Sequence, residues 1–117
     1  MDAKAALRTA LLAHAPLVAL VAQRIYPDAI DETAPLPAGV LTVTSTEPIR
    51  TLDGLRHGAW VTLSLQFWAA TRTAADACSE AAQDAIAAAG EDVVDVADAA
   101  DLETGNYATV LTVRMLT

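Results

Sequence analysis

The sequence predicts an α+β fold, with a mixed, mainly antiparallel sheet of about four strands and helices packed on one side. Residues 60–68 carry large apolar side chains at odd positions and Thr, Ser or Gln at the even positions between Trp60 and Trp68, the period of a strand with one buried face. Directly after this strand, Ala74 to Ala89 contains neither Pro nor Gly, and its polar residues mark one helical face. The predicted order of elements, α-β-β-α-β-β, suits a sheet of this kind.

The N-terminal part of the chain is predicted to be helical. Asp2 is a candidate cap for a first helix, whose apolar residues recur at helical spacing as far as Leu11. Pro16 interrupts this run, and because proline is tolerated at the start of a helix, Leu17–Gln23 is expected to form a short second helix. Tyr26 precedes a proline and is therefore expected to be extended, with a loop over residues 28–38.

The strands are predicted from alternation and from β-branched residues. Val40–Thr46 forms the first strand, and residues 47–58 hold turn signals at Pro48 and two glycines, so they are expected to form a loop too long for a tight hairpin. Thr73 is the expected cap of the long helix. A short strand follows over Glu91–Val96, then an acidic connection over residues 97–106. The last strand is Tyr107–Leu116, with its core face at Leu111, Val113 and Met115.

Length, net charge and cysteine content limit the classes of protein to which this chain can belong. The 117 residues fit one domain, residues 1–117. Fifteen acidic and seven basic residues give a formal charge of −8, which disfavours binding to a phosphate backbone. The single Cys78 has no partner for an internal disulfide and is expected to be a small buried residue of the helix. The chain begins without a basic leader, and no apolar run approaches the ~20 residues that span a bilayer.

The sequence offers no pattern of an active site or a metal site. His14 is predicted at a helix end and His57 in a turn, and neither has a Ser, Cys or Asp neighbour at a spacing that indicates a catalytic site. The acidic residues from Asp95 to Asp101 lack the central glycine of a calcium loop. No phosphate-binding loop, dinucleotide fingerprint or Cys/His cluster is present. We therefore expect no catalysis, no cofactor and no metal.

The segment between the first two strands concentrates charge. Arg50, Asp53, Arg56 and His57 are candidates for a subunit contact, because exposed loops often carry binding functions, although the same residues would also suit a solvated loop. Trp60 and Trp68 are expected to be covered, either by the rest of the chain or at an interface, where tryptophan is enriched.

Five segments, taken in order, resemble a known family. They are the helix pair ending in Arg24-Ile25-Tyr26-Pro27, Pro35-Leu36-Pro37 before a Val/Thr strand, Thr51-Leu52-Asp53-Gly54, Leu65-Gln66-Phe67-Trp68-Ala69 before an alanine-rich helix, and Glu103-Thr104-Gly105-Asn106-Tyr107 before the closing strand. Together they resemble the tail-completion, or tail-terminator, proteins of long-tailed bacteriophages and gene transfer agents, which act in head-tail joining.

The resemblance implies a structural subunit, without catalysis, that forms a ring, typically a hexamer. Its partners would be further copies of itself, the tail-tube protein and the head-connector or stopper protein, with DNA passing through the lumen without specific binding and no membrane involved. Such a protein is assembled in the bacterial cytoplasm and resides at the head-tail interface of the virion tail. An acidic ring must place Arg50, Arg56, Arg72 or Arg114 against acids of a neighbour. The alternative function is a small α+β module that binds a ligand or peptide, with a dimer that closes its sheet against a partner as one arrangement.

Overall fold

The computed structural model describes residues 3–30, 35–50 and 56–116. It contains three helices and five strands in these residues: α1 (Ala3–Leu12), α2 (Ala15–Val21), β1 (Ile25–Pro27), β2 (Ala38–Arg50), β3 (Arg56–Ala69), α3 (Arg72–Ala88), β4 (Asp92–Asp101) and β5 (Asn106–Leu116). The predicted α+β class with a mixed, mainly antiparallel sheet is confirmed.

The sheet has the strand order β1-β2-β3-β5-β4, which places β3 in the centre. All neighbouring pairs are antiparallel except β1 and β2, which are parallel. The sequence predicted about four strands and missed β1, where only the extended backbone before Pro27 was foreseen. β1 is three residues long and pairs with Gly39, Val40 and Leu41, so it leaves most of β2 unpaired on that side.

One face of the sheet is buried by the three helices. On the central strand, Leu63, Leu65 and Phe67 are fully buried, as the alternation predicted, and they share one apolar core with residues of α1, α2 and α3. The predicted core residues of the last strand, Leu111, Val113 and Met115, lie in the same core and confirm its inner face. The long helix contributes mainly small side chains, which lets it lie close to the sheet.

The opposite face of the sheet carries both tryptophans, and each is half-buried. The guanidinium of Arg114 lies 4.3 Å from the centre of the Trp60 ring. The indole N–H of Trp68 donates a hydrogen bond of 3.2 Å to the Gln66 side chain. The predicted cover is therefore partial within the described chain, because neighbouring side chains provide it and the helices lie on the other face.

The long helix begins two residues earlier than the sequence predicted. Its N-cap is Thr71, whose hydroxyl accepts a hydrogen bond from the Ala74 N–H at 3.1 Å. Thr73, the predicted cap, lies inside the first helical turn and is exposed. Both threonines fit the capping preference, and sequence alone did not separate them.

Replacing the true cap should destabilise the protein measurably. We expect Thr71→Ala to lower the free energy of unfolding by about 1 kcal/mol, because the first-turn N–H loses its acceptor. Thr73→Ala is a matched control, and we expect a change within about 0.5 kcal/mol, since an exposed threonine gives way to a better helix former. Urea unfolding followed by circular dichroism measures both. An equal loss for the two variants would contradict the assigned cap.

The predicted loop over residues 47–58 was wrong at both ends. β2 continues to Arg50 and β3 begins at Arg56, so the two strands form an antiparallel hairpin, and residues 51–55 lie outside the described part of the chain. Pro48 misled the prediction because proline usually ends a central strand. Here it lies on β2 beyond β1, where the outer side of the strand has no strand partner in the described residues.

The fourth strand is also longer than predicted. It runs through the acidic segment to Asp101, where the sequence placed a connection starting at residue 97. Pairing with the long, regular β5 extends β4 despite its unfavourable Ala and Asp content. In the N-terminal helices, α2 begins at Ala15 instead of Leu17 and ends at Val21, while Asp2 lies outside the described residues.

Candidate subunit interface

The hairpin brings together three of the residues predicted to make a subunit contact. Arg50 and Arg56 are direct cross-strand partners, the last such pair before the turn, and His57 follows on β3. Asp53 lies outside the described residues, as do the side chains of the other three. Two arginines opposite each other in an antiparallel pair repel, so this end of the hairpin favours an acidic partner.

The hairpin projects beyond the rest of the sheet. Among the described residues, β5 pairs with β3 as far as the Trp60–Leu116 pair, and the described pairs of residues 56–59 are with β2. Residues 44–48 of β2 are exposed without interruption, whereas the buried part of β3 alternates between buried and half-buried positions. The molecule measures 52 Å along its longest axis and 22 Å along its shortest. The hairpin therefore forms an arm, and residues 44–48 of its first strand are accessible.

Arg114 lies near the base of this arm, on the face of the sheet that the helices leave open. It is exposed, it stacks on Trp60, and it is the cross-strand partner of Asp92 on β4 and of Thr62 on β3. The stacked ring holds the guanidinium on the sheet surface.

Arg72 lies at the opposite end of the sheet, away from the hairpin, and it is bound within its own chain. Its guanidinium donates 2.9 Å hydrogen bonds to the carbonyls of Ala99 on β4 and Ala108 on β5. It also lies 3.2 Å from an Asp98 carboxylate oxygen and 5.2 Å from the centre of the Tyr107 ring. Arg72 thus connects the start of α3 to two strands, and the structure does not group it with the hairpin arginines.

The outer edge of β4 carries charge that the sequence interpretation assigned only to a solvated stretch. Asp92 and Asp95 are exposed, as are the apolar side chains of Val94 and Val96, with 56% and 47% of their surface accessible. A register shift between Val93 and Asp95 marks a bulge at this point. The predicted strand ended at Val96, but β4 continues to Asp101. Only this continuation places the four aspartates of β4 along one edge of the sheet.

Cys78 and His14 are two described residues whose side chains are capable of chemistry. Burial raises the pKa of the Cys78 thiol to about 11, so the reactive thiolate is scarce at neutral pH. His14 has a buried Nε2 atom without a hydrogen-bond partner, beside an open cleft of about 220 Å³ lined by alanines of α1 and α3 and by their flanking residues. The described residues hold no cluster of three or more His, Cys, Asp or Glu that could bind a metal ion.

The sequence family described as Tail completion protein gp17 matches residues 5–117. The chain belongs to this family. The match includes all five strands and α3, so both the projecting hairpin and the acidic edge lie within it. Membership in the tail completion family confirms the predicted resemblance, and the family is one of structural proteins of phage tails.

A solved structure supports the fold. One chain of the virion of a native gene transfer agent (GTA) particle superposes with a TM-score of 0.73 at 21% sequence identity, covering 97% of this chain and 92% of that one. No curated protein sequence matches the chain. Among the described helices of this tail completion family member, none alone is long and apolar enough to cross a bilayer, and the α1–α2 pair meets the length and composition criteria only together, with a bend of 93°.

Proposed function

We propose that this protein caps the tail tube as a closed ring, typically a hexamer, and forms the interface between the tail and the head connector. The observation that carries the proposal is the match of residues 5–117 to a tail completion family. The geometry supports it through the sheet, because the outer edge of β4 and the part of the β2 edge beyond β1 lack strand partners in the described residues. A subunit with two different free edges suits head-to-tail association, which closes into a ring when the rotation permits.

Charge restricts how such a ring is built. One chain carries −8, so a hexamer carries a formal charge of −48, and its interfaces must pair basic residues with acids of the neighbour. The ring would meet the tail-tube protein on one side and the head-connector or stopper protein on the other, at the head-tail interface of the virion, after assembly in the bacterial cytoplasm. It needs no cofactor for this role, and catalysis has no part in it.

The surplus carboxylates support a lumen through which DNA passes without adhering. The net excess of acidic residues over the whole chain would repel the phosphates of a duplex, and binding by counterion release needs clustered basic residues. The assembled ring should therefore show no binding to duplex DNA in a filter or gel-shift assay at moderate salt. Tight binding under those conditions would contradict a passive lumen.

The mass of the particles that the purified protein forms tests whether it assembles into a ring. Sedimentation velocity over a range of concentration and salt, with electron microscopy of the heaviest species, should reveal a closed ring either in solution or on purified tail tubes. Tubes that bear a cap of this protein at one end, and that stop elongating once it is added, would support the proposal. A protein that stays monomeric and neither binds tube ends nor stops tube growth would overturn it.

A further inference from the structure

We propose that neighbouring copies of this chain join by their sheet edges: the outer edge of β2, with the arginine-bearing end of its hairpin, lies along the acidic outer edge of β4 in the next copy. This inference rests on the proposed ring and names the surface that forms it. Both edges lie within the described residues, and no described strand covers either of them beyond the three residues of β1.

The two edges match in length. The part of β2 beyond β1 runs from Thr42 to Arg50, about 30 Å at the rise of an extended strand. β4 runs from Asp92 to Asp101, about 33 Å. Each strand presents backbone N–H and C=O groups on its outer side, and such rows readily pair with another chain unless they are blunted.

The side chains of β4 indicate a surface that is covered in use. Charged residues alone would keep an edge solvated, but this edge also exposes Val94 and Val96 by about half of their surface each. Asp92 and Asp95 flank Val94, and within the described chain their carboxylates are not committed to an ion pair with a basic residue, unlike that of Asp98. An edge strand that exposes two valines and two carboxylates without an ion pair in the described chain suits a basic strand that contributes its own backbone donors.

The basic residues favour the same partner. The five basic residues whose side chains the structure describes all have contacts inside the chain: Lys4 with Asp28, Arg8 and Arg24 with backbone carbonyls, Arg72 with β4 and β5, and Arg114 with Trp60. The side chains of Arg50 and Arg56 lie outside the described part of the chain, and their backbones form a cross-strand pair at the end of the hairpin. Two basic residues thus occupy paired positions at the end of the arm, where an acidic edge of another copy can meet them.

Charge also determines which edges of two neighbouring copies pair. Two β4 edges would bring aspartates together, and two hairpin ends would bring four arginines together, so both two-fold arrangements are disfavoured. Pairing β2 of one copy with β4 of the next brings opposite charges together. This contact is heterologous, and it leaves one free edge of each kind on every growing oligomer until a ring closes.

The test exchanges the charges of the two edges. The tip variant is Arg50→Glu/Arg56→Glu, and the edge variant is Asp92→Lys/Asp95→Lys. Each alone juxtaposes like charges, and we expect the protein concentration needed for assembly to rise by about 100-fold or more. An equimolar mixture of the two variants should assemble again, in rings where the variants alternate. The variant with all four substitutions should assemble by itself.

A matched control changes the same charge elsewhere. Glu80→Lys/Asp84→Lys lies on the exposed face of α3 and alters the net charge as the edge variant does, so it should leave assembly within about threefold of the unmodified protein. Circular dichroism and urea midpoints verify that each variant is folded. If the unmodified protein assembles but the equimolar mixture of the tip and edge variants does not, edge pairing is overturned and the proposed ring is not. Failure of the unmodified protein to assemble or to bind tube ends would overturn both.

A second measurement does not depend on charge reversal. Arg50→Lys/Arg56→Lys keeps the charge and supplies amines that a zero-length carbodiimide can join to carboxylates. In a mixture of isotope-labelled and unlabelled copies, mass spectrometry should find links from these lysines to Asp92 or Asp95 of a different copy. Links that fall only within one copy, or only on the acids of α3, would contradict the proposed contact.

Discussion

Phe67→Ala should lower the free energy of unfolding by about 3–5 kcal/mol, a large part of the ~5–15 kcal/mol that stabilises a typical domain. Phe67 is the largest fully buried side chain among the described residues and belongs to the core that joins the sheet to all three helices. Its removal leaves a cavity that the surrounding strands and helices fill only in part, so both the transfer energy and the packing are lost.

The ring of Phe67 also lies against the backbone of its cross-strand partner, Gly39. A Cβ at position 39 would lie 3.1 Å from Cε1 of Phe67 and 3.4 Å from Cγ1 of Ile25. Gly39→Ala should therefore cost about 1–3 kcal/mol by overpacking. Together with Phe67→Ala, the cost should be less than additive, because the smaller residue at position 67 makes room for the added methyl.

Urea unfolding of the two single variants and the double variant measures this cycle. Trp68→Ala is the control, because Trp68 is larger but lies half-buried on the opposite face, and its loss should cost clearly less than that of Phe67. A greater loss for Trp68→Ala than for Phe67→Ala would mean that the open face of the sheet, and not the helix-covered face, provides the main stabilisation.

The central strand and its core face were predictable because alternation over nine residues is a long signal. Leu63, Leu65 and Phe67 were placed correctly, and so was the inner face of β5, since a one-residue shift would turn the whole apolar set to solvent. The long helix was predicted for a similar reason, as seventeen residues without a break leave little ambiguity.

The elements that were missed are those set by a partner strand. Ile25–Pro27 is too short to show a period, and it becomes a strand only because β2 runs beside it. Ala97–Asp101 has a composition typical of a connection, yet it pairs with β5. The cap was mistaken for the same reason, since the bonds that Arg72 makes to two strands accompany a helix start at that residue.

These omissions also hid part of the candidate interface. Arg50 and Arg56 were predicted as a charged loop, and their role as a cross-strand pair at the end of an arm followed only from the extended hairpin. Asp92 and Asp95 were interpreted as solvated acids, because an edge is a property of the sheet order and not of the local sequence. Of the six predicted residues, Arg72 is the one whose described contacts favour a different role.

Arg72→Ala should therefore lower the stability of the single chain, by about 2–3 kcal/mol. A charged hydrogen bond contributes roughly 1.5–3 kcal/mol, and here two carbonyls and the Asp98 carboxylate share one guanidinium that is 32% exposed, so water replaces part of what is lost. The effect should be local. In amide hydrogen exchange, the residues of β4 near Ala99 should lose protection more than those of β2, because Arg72 holds β4 to the start of α3.

Two variants separate the contributions to this site. Asp98→Ala removes only a largely exposed ion pair and should cost at most about 1 kcal/mol. Arg72→Lys keeps the charge but lacks the planar fork that reaches both carbonyls, so it should recover less than half of the loss. An Arg72→Ala variant of unchanged stability that fails to assemble would assign Arg72 to the subunit interface, as the sequence predicted. A destabilised variant that still assembles at a temperature where it is folded would assign it to the attachment of β4, on which the acidic edge depends.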